Sequence, residues 1–122
     1  MPKVSVVFYC DKKGKAPFLE WFDKLPEKAK DKCLVRLERL GELGHELKRP
    51  EADYLKDDIY ELRFKHQSVN YRALYYFHGR QLVVLSHGFT KQRAKVPEKE
   101  ISTAVERMKI FETSPLQHTF KE

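Results

Sequence analysis

The sequence predicts an α+β domain with the element order β-α-α-β-β-β-α. Apolar residues recur at helical spacing between residues 17 and 44 and again after Pro97, whereas they alternate with polar residues between residues 60 and 89. A chain of 122 residues has room for one hydrophobic core, so we expect a single domain over residues 1–122. The expected architecture is an antiparallel meander with an N-terminal strand, a helical hairpin packed on one face and a C-terminal helix.

The N-terminal half is predicted to contain one strand and two helices. Residues 3–9 are rich in Val and aromatic side chains, which favours a strand. Pro17 is typical of the first turn of a helix, and Pro26 opens a second helix that ends at Gly44. The apolar sides of these helices comprise Phe18, Leu19, Phe22 and Leu25, followed by Ala29, Cys33, Leu37 and Leu40. Residues 46–54 are predicted to form a loop.

The C-terminal half is predicted to contain three strands and a helix. The first strand is marked by the alternation of Tyr60, Leu62 and Phe64 with charged residues, and the others span residues 69–78 and 81–89. Gly79 and Arg80 suit a two-residue hairpin turn between the last two strands. Pro97 opens the final helix, whose apolar stripe is Ile101, Ala104, Val105, Met108 and Phe111. Residues from about 114 are expected to form a loose tail.

Cysteine spacing and hydropathy limit the possible classes of protein. The two cysteines, Cys10 and Cys33, do not have metal-binding spacing, and we expect two free thiols in a reducing compartment. Neither a signal peptide nor a membrane span is present in the sequence. The sequence therefore predicts a cytoplasmic protein with no metal, no cofactor and no membrane partner.

The positive charge is concentrated in one segment. The chain has a net charge of +6, and residues 63–97 contain seven Lys and Arg residues but no Asp or Glu. A solvated charged face is the alternative interpretation, but acidic residues normally interleave on such a face. We therefore interpret the segment as a surface for nucleic acid.

Hairpin register places part of this charge in one row. If residues 67–68 and 79–80 are two-residue turns, Arg63 lies opposite Arg72, and Arg72 lies opposite His87, on one face of the sheet. Two arginines that face each other repel by a few tenths of a kcal/mol up to ~1 kcal/mol. Glu61 or a bound phosphate could compensate, or a longer first turn could offset the pair.

Five motifs resemble the RelE/HigB superfamily of toxin–antitoxin toxins, in particular its HigB-like, phage-related branch. They are a strand IYELRF from residue 59, Y-R-x-x-Y at residues 71–75, H-G-F at residues 87–89, a basic connector at residues 91–97, and E-I-x-x-A-x-x-R at residues 100–107. The resemblance implies a RelE-like fold and metal-independent endonuclease activity on mRNA held by the ribosome. It also implies a cognate antitoxin, for which we expect the helix-turn-helix type.

The resemblance also implies positions for the site. It assigns catalytic roles to Arg63, Arg72 and Lys91, with Arg93 and Lys95 nearby. Metal-free cleavage uses the 2′-OH of the RNA as nucleophile, so it needs a proton acceptor, a proton donor and cations on the phosphate. In this scheme Arg63 and Arg72 are the phosphate clamp, since guanidinium is permanently charged and bidentate.

The proton carrier is the role with three candidates. His87 is the first, because imidazole titrates near neutrality, Lys91 is the second, and His66 at the hairpin tip is the third. The alternative for His87 is a histidine whose hydrogen bonds are satisfied at a strand end. The residues predicted to bind RNA around this catalytic set are Lys65, His66, Arg93 and Lys95.

Two other functions are compatible with the fold. A ParE-like toxin would inhibit DNA gyrase and cleave nothing, and a non-catalytic module would bind RNA or a protein partner. The absence of acids from residues 63–97 favours the RNA-cleaving toxin.

Overall fold

The computed structural model describes residues 4–92 and 94–121, and these form a five-stranded sheet with helices on both faces. The strands are β1 (Ser5–Phe8), β2 (Ala52–Lys56), β3 (Ile59–His66), β4 (Val69–His78) and β5 (Leu82–Lys91). The helices are α1 (Pro17–Asp23), α2 (Glu27–Leu43) and α3 (Glu98–Thr113), with a short 3-10 turn at Gly44–Glu46. The predicted α+β class is confirmed, and one strand is added to the predicted order.

The sheet is a meander with a parallel strand at one edge. Its order is β1-β5-β4-β3-β2, in which β1 runs parallel to β5 and all other neighbours are antiparallel. The added strand, β2, lies at the other edge, where the sequence predicted a loop. It joins β3 through Asp57 and Asp58, both of which have positive φ, a conformation that Asp tolerates.

Two apolar cores lie on opposite faces of the sheet. Helices α1 and α2 cover one face, where Phe18, Leu40 and Tyr75 are buried. Helix α3 covers the other face, where Phe111 and Tyr76 are buried. The prediction that the helical hairpin packs on one face is confirmed, and the C-terminal helix closes the opposite one.

Helix α1 packs closely on β5. The ring of Trp21 lies against Gly88, and a Cβ at position 88 would overlap that ring. Trp21 also packs edge-on against Phe64 and Tyr71. Glycine at position 88 therefore lets the helix approach the strand.

The register between β3 and β4 agrees with the prediction. Arg63 lies opposite Arg72, and the turn between the strands has two residues, Gln67 and Ser68, both with positive φ. No offset separates the two arginines.

The register between β4 and β5 differs from the prediction. The turn contains three residues, because His78 pairs with Leu82, and Ser86 forms a bulge further along β5. The prediction that His87 lies opposite Arg72 is therefore wrong, since Arg72 faces Phe89 and His87 faces Leu74.

The segment after α3 was expected to be loose, but it is packed up to Phe120. Thr119 forms a bridge with Tyr9, and the Phe120 N–H donates to the Phe8 carbonyl at 2.8 Å. His118 is 3% exposed, and its Nδ1 lies 2.8 Å from the Cys10 carbonyl oxygen. The expectation of a loose tail is therefore wrong for residues 114–120.

Both cysteines are free and buried, as predicted for the thiols. Burial raises the pKa of the Cys33 thiol to about 12, so this thiol is an inert packing residue. Among the described residues, no helix combines the length and the hydropathy that crossing a membrane requires.

Candidate active site

A groove of about 450 Å³ lies between the β2–β3 edge, the end of β5 and the start of α3. Its polar lining contains five cations and three carboxylates: Arg49, Lys56, Arg63, Lys91 and Lys95, with Asp53, Glu61 and Glu98. The groove therefore combines part of the basic segment with residues from outside that segment. We call it the basic groove.

Two of the cations at the groove are neutralised by neighbouring carboxylates. Arg49 Nε donates to Asp53 at 2.9 Å, and Lys56 Nζ lies 2.7 Å from Glu98. The side chains of Lys91 and Lys95 form neither hydrogen bonds nor ion pairs with the part of the chain that the structure describes. Their positive charge is available to a ligand in the groove.

Glu61 holds the two facing arginines. Its Oε1 accepts a hydrogen bond from Arg72 Nε at 2.9 Å, and its Oε2 accepts one from Arg63 Nη1 at 3.3 Å. The repulsion between the two arginines is therefore compensated by an acidic neighbour, which was one of the alternatives considered from the sequence. Glu61 thereby fixes the guanidinium of Arg63 at the wall of the groove.

The two arginines differ in accessibility. The side chain of Arg63 is 25% exposed, whereas that of Arg72 is 5% exposed. Arg72 Nη1 also donates to the Tyr71 carbonyl at 3.0 Å, and burial lowers the pKa of its guanidinium. Only Arg63 of this pair lines the groove, so Arg72 lies beneath the surface that a phosphate could reach.

His87 is buried under α3 and does not line the groove. Its Nε2 lies 3.0 Å from Glu100 Oε1, and its Nδ1 lies 2.8 Å from Ser86 Oγ. Burial lowers the pKa of the ring despite the hydrogen bond that Nε2 donates to Glu100, and Arg107 acts in the same direction as burial. The geometry is that of a satisfied histidine that ties the bulge of β5 to α3.

Comparison with known proteins places this chain in a family. A family described as phage-derived protein Gp49-like (DUF891) matches residues 20–109, which include every residue that lines the basic groove. The chain belongs to the Gp49-like family.

Two relatives of this Gp49-like protein carry a functional name. Both are called probable endoribonuclease HigB1, and they come from Mycobacterium tuberculosis strains CDC 1551 / Oshkosh and ATCC 25618 / H37Rv. Each is 33% identical to the chain over 100 residues, which cover 80% of this chain and 76% of the relative. The resemblance to the HigB-like branch of the RelE/HigB superfamily is therefore confirmed.

The predicted RNA-binding residues of the Gp49-like protein are dispersed. Lys95 lines the basic groove, whereas Lys65 lines a separate cavity of about 410 Å³ beside α2. Strand alternation places His66 on the face opposite Arg63. Arg93 lies outside the described residues. The structure thus brings together Arg63, Lys91 and Lys95.

Four charged residues at the groove were missed from the sequence. Arg49, Asp53 and Lys56 precede the acid-free segment, and Glu98 follows it directly. The Asp-Asp pair before Ile59 was an available signal, because it suits a tight turn that would have indicated strand β2. Within residues 4–92 and 94–121, no three His, Cys, Asp or Glu side chains cluster closely enough to hold a metal ion.

Proposed function

We propose that this Gp49-like protein is the toxin of a toxin–antitoxin pair and an endoribonuclease that cleaves mRNA on the ribosome in the cytoplasm. One observation carries the proposal: Lys91 and Lys95 stand beside Arg63 in one groove, and neither lysine has a carboxylate partner among the described residues. Such a groove favours a phosphodiester, which needs several cations but no apolar pocket. The name of the two relatives supports RNA as the polymer that is cleaved.

The chemistry that we propose needs no group from outside the chain and its substrate. The 2′-OH of one nucleotide passes its proton to a non-bridging oxygen of the adjacent phosphate and attacks the phosphorus, the bond to the 5′-oxygen of the next nucleotide breaks, and a 2′,3′-cyclic phosphate forms. Arg63 and Lys95 stabilise the charge on the pentacoordinate phosphate, a contribution of about 10²–10³-fold for each well-placed donor. Lys91 donates a proton to the departing 5′-oxygen, which contributes about 10²–10⁴-fold.

Two residues that were predicted to be catalytic, Arg72 and His87, are positioning residues in this proposal. Arg72 holds Glu61, and Glu61 holds Arg63 at the groove wall. His87 anchors α3, and the connector between β5 and α3 carries Lys95. Substitution of either residue should therefore affect cleavage through the geometry of the groove.

The experiment is a translation reaction with purified components, in which cuts in a defined message are mapped by primer extension. The wild-type protein should cut ribosome-bound message, and Lys91→Ala should reduce the cleavage rate at least about 100-fold, the lower limit for a lost proton donor. Lys28→Ala is the matched control, because Lys28 is an exposed lysine on α2 across the sheet. It should cut as the wild type does.

Three results would contradict the proposal. Intact message together with inhibition of DNA gyrase would indicate a ParE-like toxin. Equal cleavage rates for Lys91→Ala and Lys28→Ala would show that the groove does not take part in cleavage. A protein that binds RNA without cutting it would be a binding module.

The proposed partner is a cognate antitoxin of the helix-turn-helix type with an acidic segment over the basic groove. Lys91 and Lys95 supply the charge that such a segment would neutralise. In a complex with the antitoxin, both lysines should be protected from acetylation by a lysine-specific reagent. Continued modification of both lysines in an inhibited complex would mean that the antitoxin binds elsewhere.

A further inference from the structure

A second basic cluster lies outside the acid-free segment. A cavity of about 780 Å³ is lined by Lys12, Lys13, Lys15 and Lys109, with Ile110 and His118 among its other lining residues. All four lysines are exposed. We call it the lysine cavity, and it forms where the loop after β1, the end of α3 and the C-terminal segment meet.

The loop that carries three of these lysines is ordered by its own hydrogen bonds. Asp11 Oδ1 accepts from the backbone N–H groups of Lys13 and Lys15, at 2.9 and 3.0 Å. The Asp11 N–H donates to the Lys15 carbonyl at 2.9 Å, and Gly14 turns the chain with a φ of +84°. The backbone positions of Lys12, Lys13 and Lys15 are therefore fixed before a ligand arrives, which lowers the entropy cost of binding.

The wall opposite the loop adds a polar group that suits ribose. His118 Nδ1 lies 2.8 Å from the Cys10 carbonyl oxygen, and since a carbonyl only accepts, Nδ1 must carry the proton. In a neutral ring Nε2 is then an acceptor, and within the described chain it has no hydrogen-bond partner. The ribose 2′-OH, which distinguishes RNA from DNA, can donate to such an acceptor.

The lysine cavity is separate from the basic groove. Glu98 and Lys109 line the two sites and lie about 16 Å apart along α3, at 1.5 Å per residue. Between them lies a smaller cavity whose lining includes Asp57 and Glu106. These carboxylates interrupt the positive charge, which disfavours one continuous path for a strand.

We propose that the lysine cavity is a second RNA site, which holds the phosphate backbone of RNA outside the segment that is cleaved. The choice of RNA over other polyanions rests on the proposed function. Four lysines with one carboxylate, Asp11, favour phosphates, and the acceptor on His118 favours ribose. A protein that works on the ribosome would use such a site to hold RNA that it does not cut.

The test measures binding, so that it is independent of cleavage. A fluorescent 15-nucleotide RNA is titrated at several salt concentrations against proteins that all carry Lys91→Ala. The cavity variant also carries Lys12→Gln, Lys13→Gln and Lys15→Gln. The matched control instead carries Lys24→Gln, Lys28→Gln and Lys48→Gln, which remove the same charge from exposed positions outside both sites.

The cavity variant should bind RNA about tenfold more weakly than the control. Its slope of log K against log salt should fall by about 2, since each lost phosphate contact on single-stranded RNA removes about 0.7. Replacement of the same three lysines by arginine should restore both values, which separates lost charge from a disturbed loop.

Equal affinity and equal slope in the cavity variant and the control would overturn the inference. A second probe, a 15-residue polyglutamate peptide, tests for an acidic protein ligand. If the cavity variant loses affinity for polyglutamate but not for RNA, the surface binds protein and the inference is also overturned. A protein that cuts no message but shows the predicted loss would contradict only the proposed cleavage.

Discussion

Glu61 accepts a 2.9 Å hydrogen bond from Arg72, although both side chains are 5% exposed. A buried ion pair contributes little net stability, but removal of one partner leaves an uncompensated charge in the core. We therefore expect Glu61→Gln to lower the free energy of unfolding by about 3–5 kcal/mol, measured by urea denaturation.

The matched control is Asp53→Asn, since Asp53 pairs with Arg49, whose side chain is 69% exposed. This exposed pair should contribute at most ~1 kcal/mol. Replacement of both buried partners, Glu61→Leu with Arg72→Met, should recover most of the lost stability. Equal losses in Glu61→Gln and Asp53→Asn would show that Arg72 does not depend on Glu61.

The burial of His87 predicts a loss of stability in acid. Its pKa is lowered by burial, so the unfolded chain, with an ordinary histidine value of about 6.5, binds the proton more readily than the folded one. This contribution to stability is complete above about pH 6.5 and is lost as the pH falls below that value. Unfolding free energies at pH 7.5 to 5 should fall more steeply in the wild type than in His87→Gln.

One group can contribute at most about 1.4 kcal/mol per pH unit to the difference between these two slopes. The charged groups near the ring are Glu100 and Arg107 of α3, and both remain in the variant. Parallel slopes for the two proteins would mean that His87 titrates alike in the folded and unfolded states.

The contact between Gly88 and Trp21 predicts a steric cost. Gly88→Ala should lower the free energy of unfolding by about 1–3 kcal/mol, because the new methyl group displaces the Trp21 ring or bends β5. In a Trp21→Leu background the same substitution should cost much less, which a double-mutant cycle measures. An unchanged cost in that background would place the strain elsewhere.

Because Glu98 forms an ion pair with Lys56, we expect substitution of Glu98 to increase the affinity for RNA. The Lys56 pKa is raised by a hydrogen bond to Glu98 and by its charge. Glu98→Gln removes that carboxylate from the basic groove and should tighten RNA binding about 2–3-fold at low salt. Because the groove is open to solvent, the effect should disappear near 1 M salt.

Glu27→Gln provides the comparison for Glu98→Gln. Glu27 is also in the first turn of its helix and lies 3.9 Å from Lys30, but it is remote from the groove. The Glu27→Gln variant should bind RNA with the same affinity as the wild type. An equal gain in both variants would indicate a general effect of net charge.

The pairing of β3 with β4 was predicted correctly from the sequence. The apolar residues that alternate along both strands allow one register, since a slip of one residue would expose them. The turn at Gln67 and Ser68 is as short as predicted, although neither residue is glycine. Burial of the apolar residues on one face of these strands outweighed the cost of positive φ at the two turn residues.

The position of His87 was not predictable by the same reasoning. The turn has three residues instead of two, and β5 has a bulge at Ser86; each of these shifts the pairing of β4 with β5 by one residue. Nothing in the sequence distinguishes either extra residue. The two shifts add to two residues, so His87 keeps its face of the sheet but moves one row from Arg72. A bulge depends on tertiary contacts, here the hydrogen bonds of Ser86 Oγ with Arg107 and of His87 with Glu100.

The basic groove was predictable only in part. Lys91 and Lys95 stand out because acids are absent around them, whereas Arg49 and Lys56 reach the groove through β2, an edge strand without a clear apolar alternation. The lysine cavity was hidden for a related reason. A sum of charge along the chain does not reveal that folding brings Lys109 to the loop of Lys12 and Lys15.

The backbone contacts of β1 have a consequence for the timing of synthesis. Strand β1 pairs with β5 and is bonded through Phe8 to Phe120, near the other end of the described chain. Pairings of such high sequence separation form slowly and late. Strand β1 therefore cannot pair in the sheet until β5 has been synthesised, and its bond to Phe120 forms only when residue 120 has also been translated.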